Sequence, residues 1–325
     1  MKHYSFAPFT STYIDDATRL LAEAYAAERG ASQPLPAMER LGGGRGRRVF
    51  EDALVEVADR PGVAAFAGGR LCGFMVESMR FTWKGQQVAG CHELAHAAAG
   101  DERALLYSLL YQELAQRWVD AGRHLHIIRH LAHDAALTES LYRLGFGAIL
   151  AEEVRDMTPI AAATGVAIVE DPEPATLVAL QREHGHYYGR SPIFLRRDDT
   201  DADILAELQN HVAAGDKLLA CIGAEGYDAL FIVGASKLEG EGFLLRHTNS
   251  AQLKSAYIRP GQRGQGMGAA LLQRAIAWAQ AQGFDRLFVE HETANIAGSA
   301  FWAKYFEPFV LISMRYVDNT LARDR

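Results

Sequence analysis

Residues 92–96 read His92-Glu93-Leu94-Ala95-His96, which matches the H-E-x-x-H pattern of zinc peptidases. The zinc chemistry of that pattern requires a helix, because residues i and i+4 then share one face and can bind the same ion. On a strand the two histidines would lie about 13 Å apart. The local sequence ELAHAAA has high helix propensity, so a zinc peptidase remains a distant alternative. The longer form H-E-x-x-H-x-x-G-x-x-H is incomplete, because Ala99 and Glu102 occupy its last two fixed positions.

A glycine-rich loop in residues 257–283 offers a different chemistry. A predicted strand ends at Ile258, and an amphipathic helix begins near Met267. Glycines between them allow positive φ and a close approach of the backbone to a ligand. The free N–H groups and the dipole at the helix start favour a phosphate, and Arg263 adds a positive charge nearby. The loop glycines are Gly261, Gly264, Gly266 and Gly268.

Two other interpretations of this loop were weighed. A glycine-rich turn without a ligand would not require four glycines and an arginine directly before a helix. The letters Gly264-x-Gly266-x-x-Ala269 also fit the dinucleotide fingerprint G-x-G-x-x-[GA]. In that fold, however, the strand runs directly into the first glycine, whereas residues 259–263 intervene here, and too little chain follows for a doubly wound domain.

The loop resembles the acyl-CoA loop of the GNAT N-acetyltransferase superfamily, whose motif is [QR]-x-x-G-x-[GA]. The lead-in Ile258-Arg259-Pro260 is frequent in that family, and the segments DRLFVEHETAN and SAFWAKYFEPFVL resemble its next strand, helix and last strand. The resemblance is strong over residues 215–315. It implies transfer of an acetyl group from acetyl-CoA to an amine of a small molecule or a peptide. The residues that it assigns to acetyl-CoA are Ile258, Arg263, Gly264, Gln265, Gly266, Met267, Gly268 and Asn295.

The catalytic groups follow less directly from the same resemblance. Glu290 and Glu292 lie on one face of the predicted strand, where either carboxylate would take the amine proton through a water. The family's tyrosine acid is replaced by Trp302, whose indole cannot give up a proton near pH 7, so Tyr305 on the same helix is a stand-in. The missing tyrosine also favours an alternative function, a non-catalytic acyl-CoA-binding regulator. We expect the acceptor pocket to involve residues 182–197, with His184, His186, Tyr187, Tyr188 and Arg190.

The two halves of the chain repeat the same pattern. Gly122 and Gly283 are 161 residues apart, as are His130 and His291. Around these positions both halves are predicted as a helix, a glycine C-cap and a strand. The offset places HELAH over residues 253–257, in the strand before the glycine loop.

The first half does not repeat the chemistry of the loop. At the same offset, carboxylates replace Gln262 and Arg263, and bulky side chains replace Gly266 and Gly268. These substitutions repel a pyrophosphate and fill its space. The first-half residues at those positions are Asp101, Glu102, Leu105 and Tyr107.

The predicted fold is therefore α/β, an α+β mixed sheet in two tandem GNAT-like domains. Each domain is a mostly antiparallel mixed sheet flanked by helices. Residues 1–160 form the degenerate domain, which we expect not to bind acyl-CoA. Residues 161–325 form the domain that binds acetyl-CoA as a cosubstrate, and we expect no metal.

Composition places limits on the partners. The formal net charge is −7 and the pI is near 6.0, which disfavours nucleic acid and anionic membranes. The cysteines Cys72, Cys91 and Cys221 are far apart and odd in number, which indicates free thiols in a reducing compartment. Neither a signal peptide nor a run of 18 apolar residues is visible, so a soluble cytoplasmic protein is predicted.

Overall fold

The computed structural model describes residues 3–224, 226–236 and 243–322. The chain divides into two compact units. Unit 1 holds the described residues 3–152, 243–248 and 308–322, and unit 2 holds 153–224, 226–236 and 249–307. Both units mix helices with strands, as the sequence predicts.

The strands, in chain order, are β1 Ser5–Pro8, β2 Gly62–Ala67, β3 Arg70–Val76, β4 Met79–Trp83, β5 Gln86–Cys91, β6 His96–Ala98, β7 Leu125–Leu131, β8 Gly147–Asp156, β9 Ile168–Glu170, β10 Lys217–Gly223, β11 Gly226–Ala235, β12 Ser250–Ile258, β13 Arg286–Glu292 and β14 Glu307–Tyr316. The α-helices are α1 Ile14–Ala31, α2 Arg48–Val55, α3 Arg103–Asp120, α4 Ala135–Arg143, α5 Val178–Tyr188, α6 Asp201–Ala213, α7 Met267–Ala281 and α8 Ile296–Trp302.

Unit 1 contains a small sheet in the order β1-β2-β3-β6 and a run of strands in the order β4-β5-β7-β14. Strand β5 pairs with β7 in parallel, from Val88 opposite Leu125 to Cys91 opposite Ile128. The other paired neighbours in these two groups are antiparallel. The apolar face of α3 packs on this framework with Leu106, Leu110 and Leu114, and their burial forms the core of the unit.

Unit 2 is built on strands in the order β8-β13-β12-β11-β10-β9, of which β12 and β13 are parallel. The ladders from β12 to β9 are antiparallel, so this is a mostly antiparallel mixed sheet. Alternate residues of β10 and β11 point to opposite faces. One face packs against α7, and the other packs against α5 and α6.

The two halves of the chain partly exchange their last strands: β14 lies almost wholly in unit 1, whereas β8 has residues 147–152 in unit 1 and 153–156 in unit 2. Residues 308–316 of β14 belong to unit 1, where Val310–Tyr316 pairs with β7. Residues 153–156 of β8 belong to unit 2, where β8 neighbours β13. Inside unit 2, His291 Nε2 lies 3.1 Å from the Glu153 carboxylate. The predicted domains 1–160 and 161–325 follow the sequence repeat and stay a prediction, because the compact units divide the chain differently.

This exchange predicts that a fragment of residues 161–325 does not fold cooperatively. It would lack the Glu153 partner of buried His291, a loss worth about 1–3 kcal/mol, and β14 would lack its partner strand β7. Far-UV circular dichroism during heating of the fragment and of the full chain checks this. A fragment that begins at Gly147 and keeps β8 is the control. A sharp transition of the 161–325 fragment within a few degrees of the full chain would contradict the expectation.

Candidate active site

The candidate site of unit 2 begins where strands β12 and β13 stop pairing. Their ladder runs from Ser250 opposite Arg286 to Leu253 opposite Val289. Against β11, Leu253 and Ser255 face consecutive residues, so Lys254 is an extra residue that forms a bulge. Strand β12 continues to Ile258 and β13 to Glu292 beyond the end of their ladder. The two strand ends therefore border a cleft.

The backbone N–H and C=O groups of Ile258 point into this cleft. Arg259 donates its N–H to the Asp228 carbonyl on β11 at 3.0 Å. Because N–H groups alternate between the two edges of a strand, the N–H and C=O of Ile258 point to the opposite edge, toward β13. The Ile258 carbonyl accepts a 3.1 Å bond from Arg263 Nε. The Ile258 N–H thus lies where the sequence places a donor for an acyl carbonyl.

The glycine loop ends in an open helix start. Gly264 and Gly266 adopt φ of +80° and +87°, a region that favours glycine. Gly266 is the N-cap of α7, no side chain among the described residues caps it, and the first turn carries no acid. Gln265 is exposed, and its amide bonds Gln262 at 2.9 Å. The amides from Gly264 to Met267 lie at the positive end of the helix dipole, and their role in binding a phosphate stays a prediction.

Packing requires a glycine at position 268, the last glycine of the motif. A Cβ placed there would lie 2.9 Å from the Phe301 ring and 3.3 Å from Ile258 Cδ1. Residue 268 must be small because Phe301 of α8 packs directly on α7. The sequence assigned this glycine to the cofactor, and the structure shows its contact with α8.

Asn295 connects α8 to the glycine loop. Its Oδ1 caps α8 by accepting the Gly298 N–H at 3.1 Å, and it also accepts the Tyr187 hydroxyl at 3.0 Å. The Arg263 guanidinium lies 4.7 Å from the centroid of the Tyr187 ring. Sequence reasoning placed Tyr187 only in an acceptor pocket and missed this bridge, because α5 and α8 are more than a hundred residues apart.

The predicted carboxylates lie at the end of β13. Burial, and after it the negative charge of nearby Glu292, raise the pKa of Tyr188 above its usual value. Glu290 is two residues earlier, on the same strand face and half-buried. His291 points to the other face, where Ser299 Oγ lies 3.4 Å from its Nδ1 and Glu153 bonds its Nε2.

An aromatic wall from α5 covers the sheet beside these carboxylates. His184 stacks on Tyr257 of β12 with ring centroids 4.9 Å apart, and it meets Tyr188 edge-on at 5.0 Å. Burial lowers the pKa of His184 to about 3, so the ring is neutral at physiological pH. His186 and Arg190, predicted for the same pocket, are exposed.

Tyr305, the predicted proton donor, lies in the turn after α8 and not on the helix as predicted, because α8 ends at Trp302. Trp302 is buried in the core between Phe231 and Phe306. Tyr305 packs edge-on against Phe301 at 5.2 Å, among the side chains that border the same core. Its role as an acid stays a prediction.

HELAH lies in a turn followed by β6, and not on a helix. Arg129 forms ion pairs with Glu93 and Glu152. His96 Nε2 bonds the Arg129 carbonyl at 2.8 Å, and the His92 ring stacks on Phe243 at 3.7 Å. Burial lowers the pKa of His92 to about 3 and that of His96 below its usual value. Within the described ranges, no three His, Cys, Asp or Glu side chains are grouped to hold a metal. These contacts do not form the zinc site that the motif would require.

The first-half counterpart of the cleft is filled by side chains of unit 1. Strand β6 ends at Ala98 and α3 begins at Arg103, so the residues aligned with Gly264, Gln265 and Gly266 are helical. Tyr107, aligned with Gly268, accepts the Ala98 N–H at 3.1 Å and bonds Asp134 at the same distance. The ladders also shift the alignment of β5, which precedes HELAH, by one position. Val88 and Ser250, which pair with equivalent residues of β7 and β13, are 162 and not 161 residues apart.

The loop geometry predicts that Gly266→Ala destabilises the protein by about 1–3 kcal/mol. An alanine there would be strained at φ +87°, and its Cβ would lie 2.7 Å from the Ala163 Cβ. Urea unfolding measures the loss. Gly261→Ala is the matched control, because no described atom lies within 4 Å of its added Cβ. Equal unfolding midpoints for the two variants would contradict the predicted loss of stability for Gly266→Ala.

Residues 170–306 match the family model described as Acetyltransferase (GNAT) family. A GCN5-related N-acetyltransferase from Sphaerobacter thermophilus is similar with 13% identity and a TM-score of 0.55, covering 96% of this chain and 95% of that chain. A GCN5-related glucosamine N-acetyltransferase region of a fungal multi-domain β-N-acetylglucosaminidase has 11% identity and a TM-score of 0.53, covering 97% of this chain and 38% of that one.

At these identities the two solved structures show the fold alone, and they show it over nearly the whole chain. No curated protein sequence matches the chain. In the part of the chain that the structure describes, no helix is long and apolar enough to cross a membrane.

Proposed function

We propose that unit 2, whose sequence matches the GNAT acetyltransferase family model over residues 170–306, transfers an acetyl group from acetyl-CoA to an amine of a small molecule or a peptide. The observation that carries this proposal is the cleft at the end of the β12–β13 ladder. In the proposed site the Ile258 N–H, the start of α7 and the carboxylate end of β13 act together on acetyl-CoA and the amine.

Acetyl-CoA would bind along the edge of β12, with its pyrophosphate on the amides of the glycine loop. Arg263 contributes positive charge, and its side chain fixes the loop through the Ile258 carbonyl and the Tyr187 ring. Asn295 would act from the cap of α8. Met267, the first residue of α7, and Gln265 would lie closest to the phosphates.

We assign each step of the proposed reaction to a residue of the chain. Glu290 or Glu292 takes a proton from the acceptor amine through a water, and the amine nitrogen attacks the thioester carbonyl carbon. The Ile258 N–H stabilises the negative oxygen that forms. The carbon–sulfur bond breaks, the new amide leaves, and the thiolate of CoA takes up a proton. Tyr305 is proposed as its source.

We further propose that unit 1 does not bind acyl-CoA. Its Ala98 N–H is already bonded to Tyr107, and the equivalent of the glycine loop is the first turn of α3. Asp101 and Glu102, which precede α3, would repel a pyrophosphate. The expected stoichiometry is one acetyl-CoA per chain.

A second candidate function is a non-catalytic acyl-CoA-binding regulator. The burial of Trp302 at the family's tyrosine position favours it. Turnover separates the two. A screen of primary amines with acetyl-CoA, read as release of the CoA thiol, should find an acceptor. Tight binding of acetyl-CoA without turnover of any amine would favour the regulator.

The variant Gln265→Glu tests the cofactor loop without disturbing the fold. A carboxylate beside the start of α7 suits the helix dipole, but it repels a pyrophosphate, so acetyl-CoA affinity should fall by about tenfold. The thermal midpoint should stay within about two degrees of the wild type. Calorimetric titration of acetyl-CoA measures the affinity.

Gln265→Ala is the neutral control, because it removes the bond to Gln262 without adding charge. It should bind acetyl-CoA within about threefold of the wild type. Wild-type protein that does not bind acetyl-CoA would overturn the proposed function. Equal affinity of the wild type and Gln265→Glu would overturn the assignment of the loop.

A further inference from the structure

The hydroxyl of Tyr187 lies between the glycine loop and the start of α8. It donates to Asn295 Oδ1 at 3.0 Å, and Arg263 Nη1 lies 3.5 Å from the same hydroxyl oxygen. The Arg263 guanidinium also lies over the Tyr187 ring, 4.7 Å from its centroid. One side chain of α5 therefore contacts both a residue of the loop before α7 and the N-cap residue of α8.

Both partners of Tyr187 also bond the backbone of elements that border the cleft. Arg263 Nε donates to the Ile258 carbonyl at 3.1 Å, at the end of β12. Asn295 Oδ1 accepts the Gly298 N–H at 3.1 Å, in the first turn of α8. An amide oxygen has two lone pairs, and the two bonds to Asn295 Oδ1 use both of them. The Tyr187 hydroxyl thus closes a chain of contacts from the end of β12 to the start of α8.

A second contact fixes α5 against the same loop. The Arg259 guanidinium donates to the two Glu183 carboxylate oxygens at 2.8 and 3.0 Å. It also donates to Asp228 on β11 at 3.0 Å. Residues 183 and 187 are four positions apart on α5 and therefore share one helix face. This face contacts the loop at Arg259 and again at Arg263, so Tyr187 has a defined position relative to the loop.

We propose that Tyr187 is a positioning residue for acetyl-CoA, which holds Arg263 beside the glycine loop and Asn295 at the cap of α8. An arginine side chain that is already ordered loses less conformational entropy when a phosphate binds to it. The proposal rests on the proposed function of unit 2, because that function assigns Arg263 and Asn295 to acetyl-CoA. It goes further by moving Tyr187 from the predicted acceptor pocket to the cofactor side of the site.

Calorimetric titration of acetyl-CoA into the full chain tests the proposal without any amine. Tyr187→Phe keeps the ring under Arg263 and removes only the hydroxyl. Its Kd for acetyl-CoA should rise by about fivefold, the effect of one hydrogen bond between neutral groups. Tyr227→Phe is the matched control, because Tyr227 of β11 packs on the same apolar core as Tyr187. The control should bind acetyl-CoA within twofold of the wild type.

Steady-state kinetics with the best amine of the screen separate the two sides of the site. Tyr187→Phe should raise the KM for acetyl-CoA by about fivefold and leave kcat and the KM for the amine within twofold. A tyrosine that contacts the acceptor directly would raise the KM for the amine instead. A tyrosine that only packs in the core would lower the thermal midpoint and change neither KM.

A double-mutant cycle shows whether Tyr187 acts through Asn295. Asn295→Ser keeps an oxygen that can cap α8, but the shorter side chain should not reach the Tyr187 hydroxyl. In this background, Tyr187→Phe should raise the Kd for acetyl-CoA by less than twofold further. If Tyr187→Phe does not fold, as circular dichroism would show, Asn295→Ser decides, and wild-type affinity of that variant would contradict the proposal.

Four results would overturn the proposal while the wild type binds acetyl-CoA. They are a wild-type Kd for Tyr187→Phe, an equal loss of affinity in Tyr227→Phe, a full fivefold further loss in the Asn295→Ser background, and a raised KM for the amine alone. The proposed function stands in each of these cases. Wild-type protein that does not bind acetyl-CoA overturns the proposed function and this inference with it. If the wild type binds acetyl-CoA but turns over no amine, the regulator is favoured and the titrations decide the role of Tyr187.

Discussion

The end of the parallel ladder between β12 and β13 is the constraint on which the candidate site depends. Parallel strands satisfy each other's backbone groups only while they remain adjacent, so divergence after Leu253 and Val289 leaves the inner edge of β12 without a protein strand beside it. The bulge at Lys254 accompanies this divergence. Its ammonium group binds Asp216 with two 2.7 Å bonds, and Asp216 also bonds His211. This buried carboxylate anchors the bulge and therefore the opening of the cleft.

The two faces of the unit 2 sheet carry different parts of the site. On one face α7 buries an aliphatic stripe and brings the glycine loop to the end of β12. Gly268 allows Phe301 of α8 to pack on α7, so the loop and the Asn295 cap stay together. On the other face α5 packs with Leu180 and places Tyr187 and Tyr188 beside β13. The hydrophobic cores of the two faces thus fix the polar groups between them.

In unit 1 the strands diverge in a similar way, and side chains of the unit bond the backbone groups there. Beyond Cys91 and Ile128, His96 bridges to the Arg129 carbonyl. Tyr107 takes the N–H of Ala98, and buried Arg129 pairs with two carboxylates. Backbone groups exposed by divergence must find partners, and here side chains of the same unit supply them. The last strand of the second half, β14, therefore belongs almost wholly to unit 1, and the end of β8 from the first half belongs to unit 2.

The sequence by itself determined the local chemistry. Glycines with a following amphipathic pattern specify a loop and a helix start, because positive φ and the 3.6-residue period are local properties. The mixed α/β class and the GNAT resemblance followed from the same local patterns, and both are confirmed. HELAH shows the limit of prediction from local sequence. Its helix propensity is high, and yet its contacts with Arg129 and Phe243 hold it in a turn.

Only the tertiary structure decided which residues meet across long separations. The stacking of His184 on Tyr257, the bridge from Tyr187 to Asn295 and the placement of β8 and β14 join segments that no local pattern connects. The reason is physical: hydrogen-bond partners and strand neighbours are selected by the packing of the whole unit. Propensity and periodicity report only the preferences of one segment at a time.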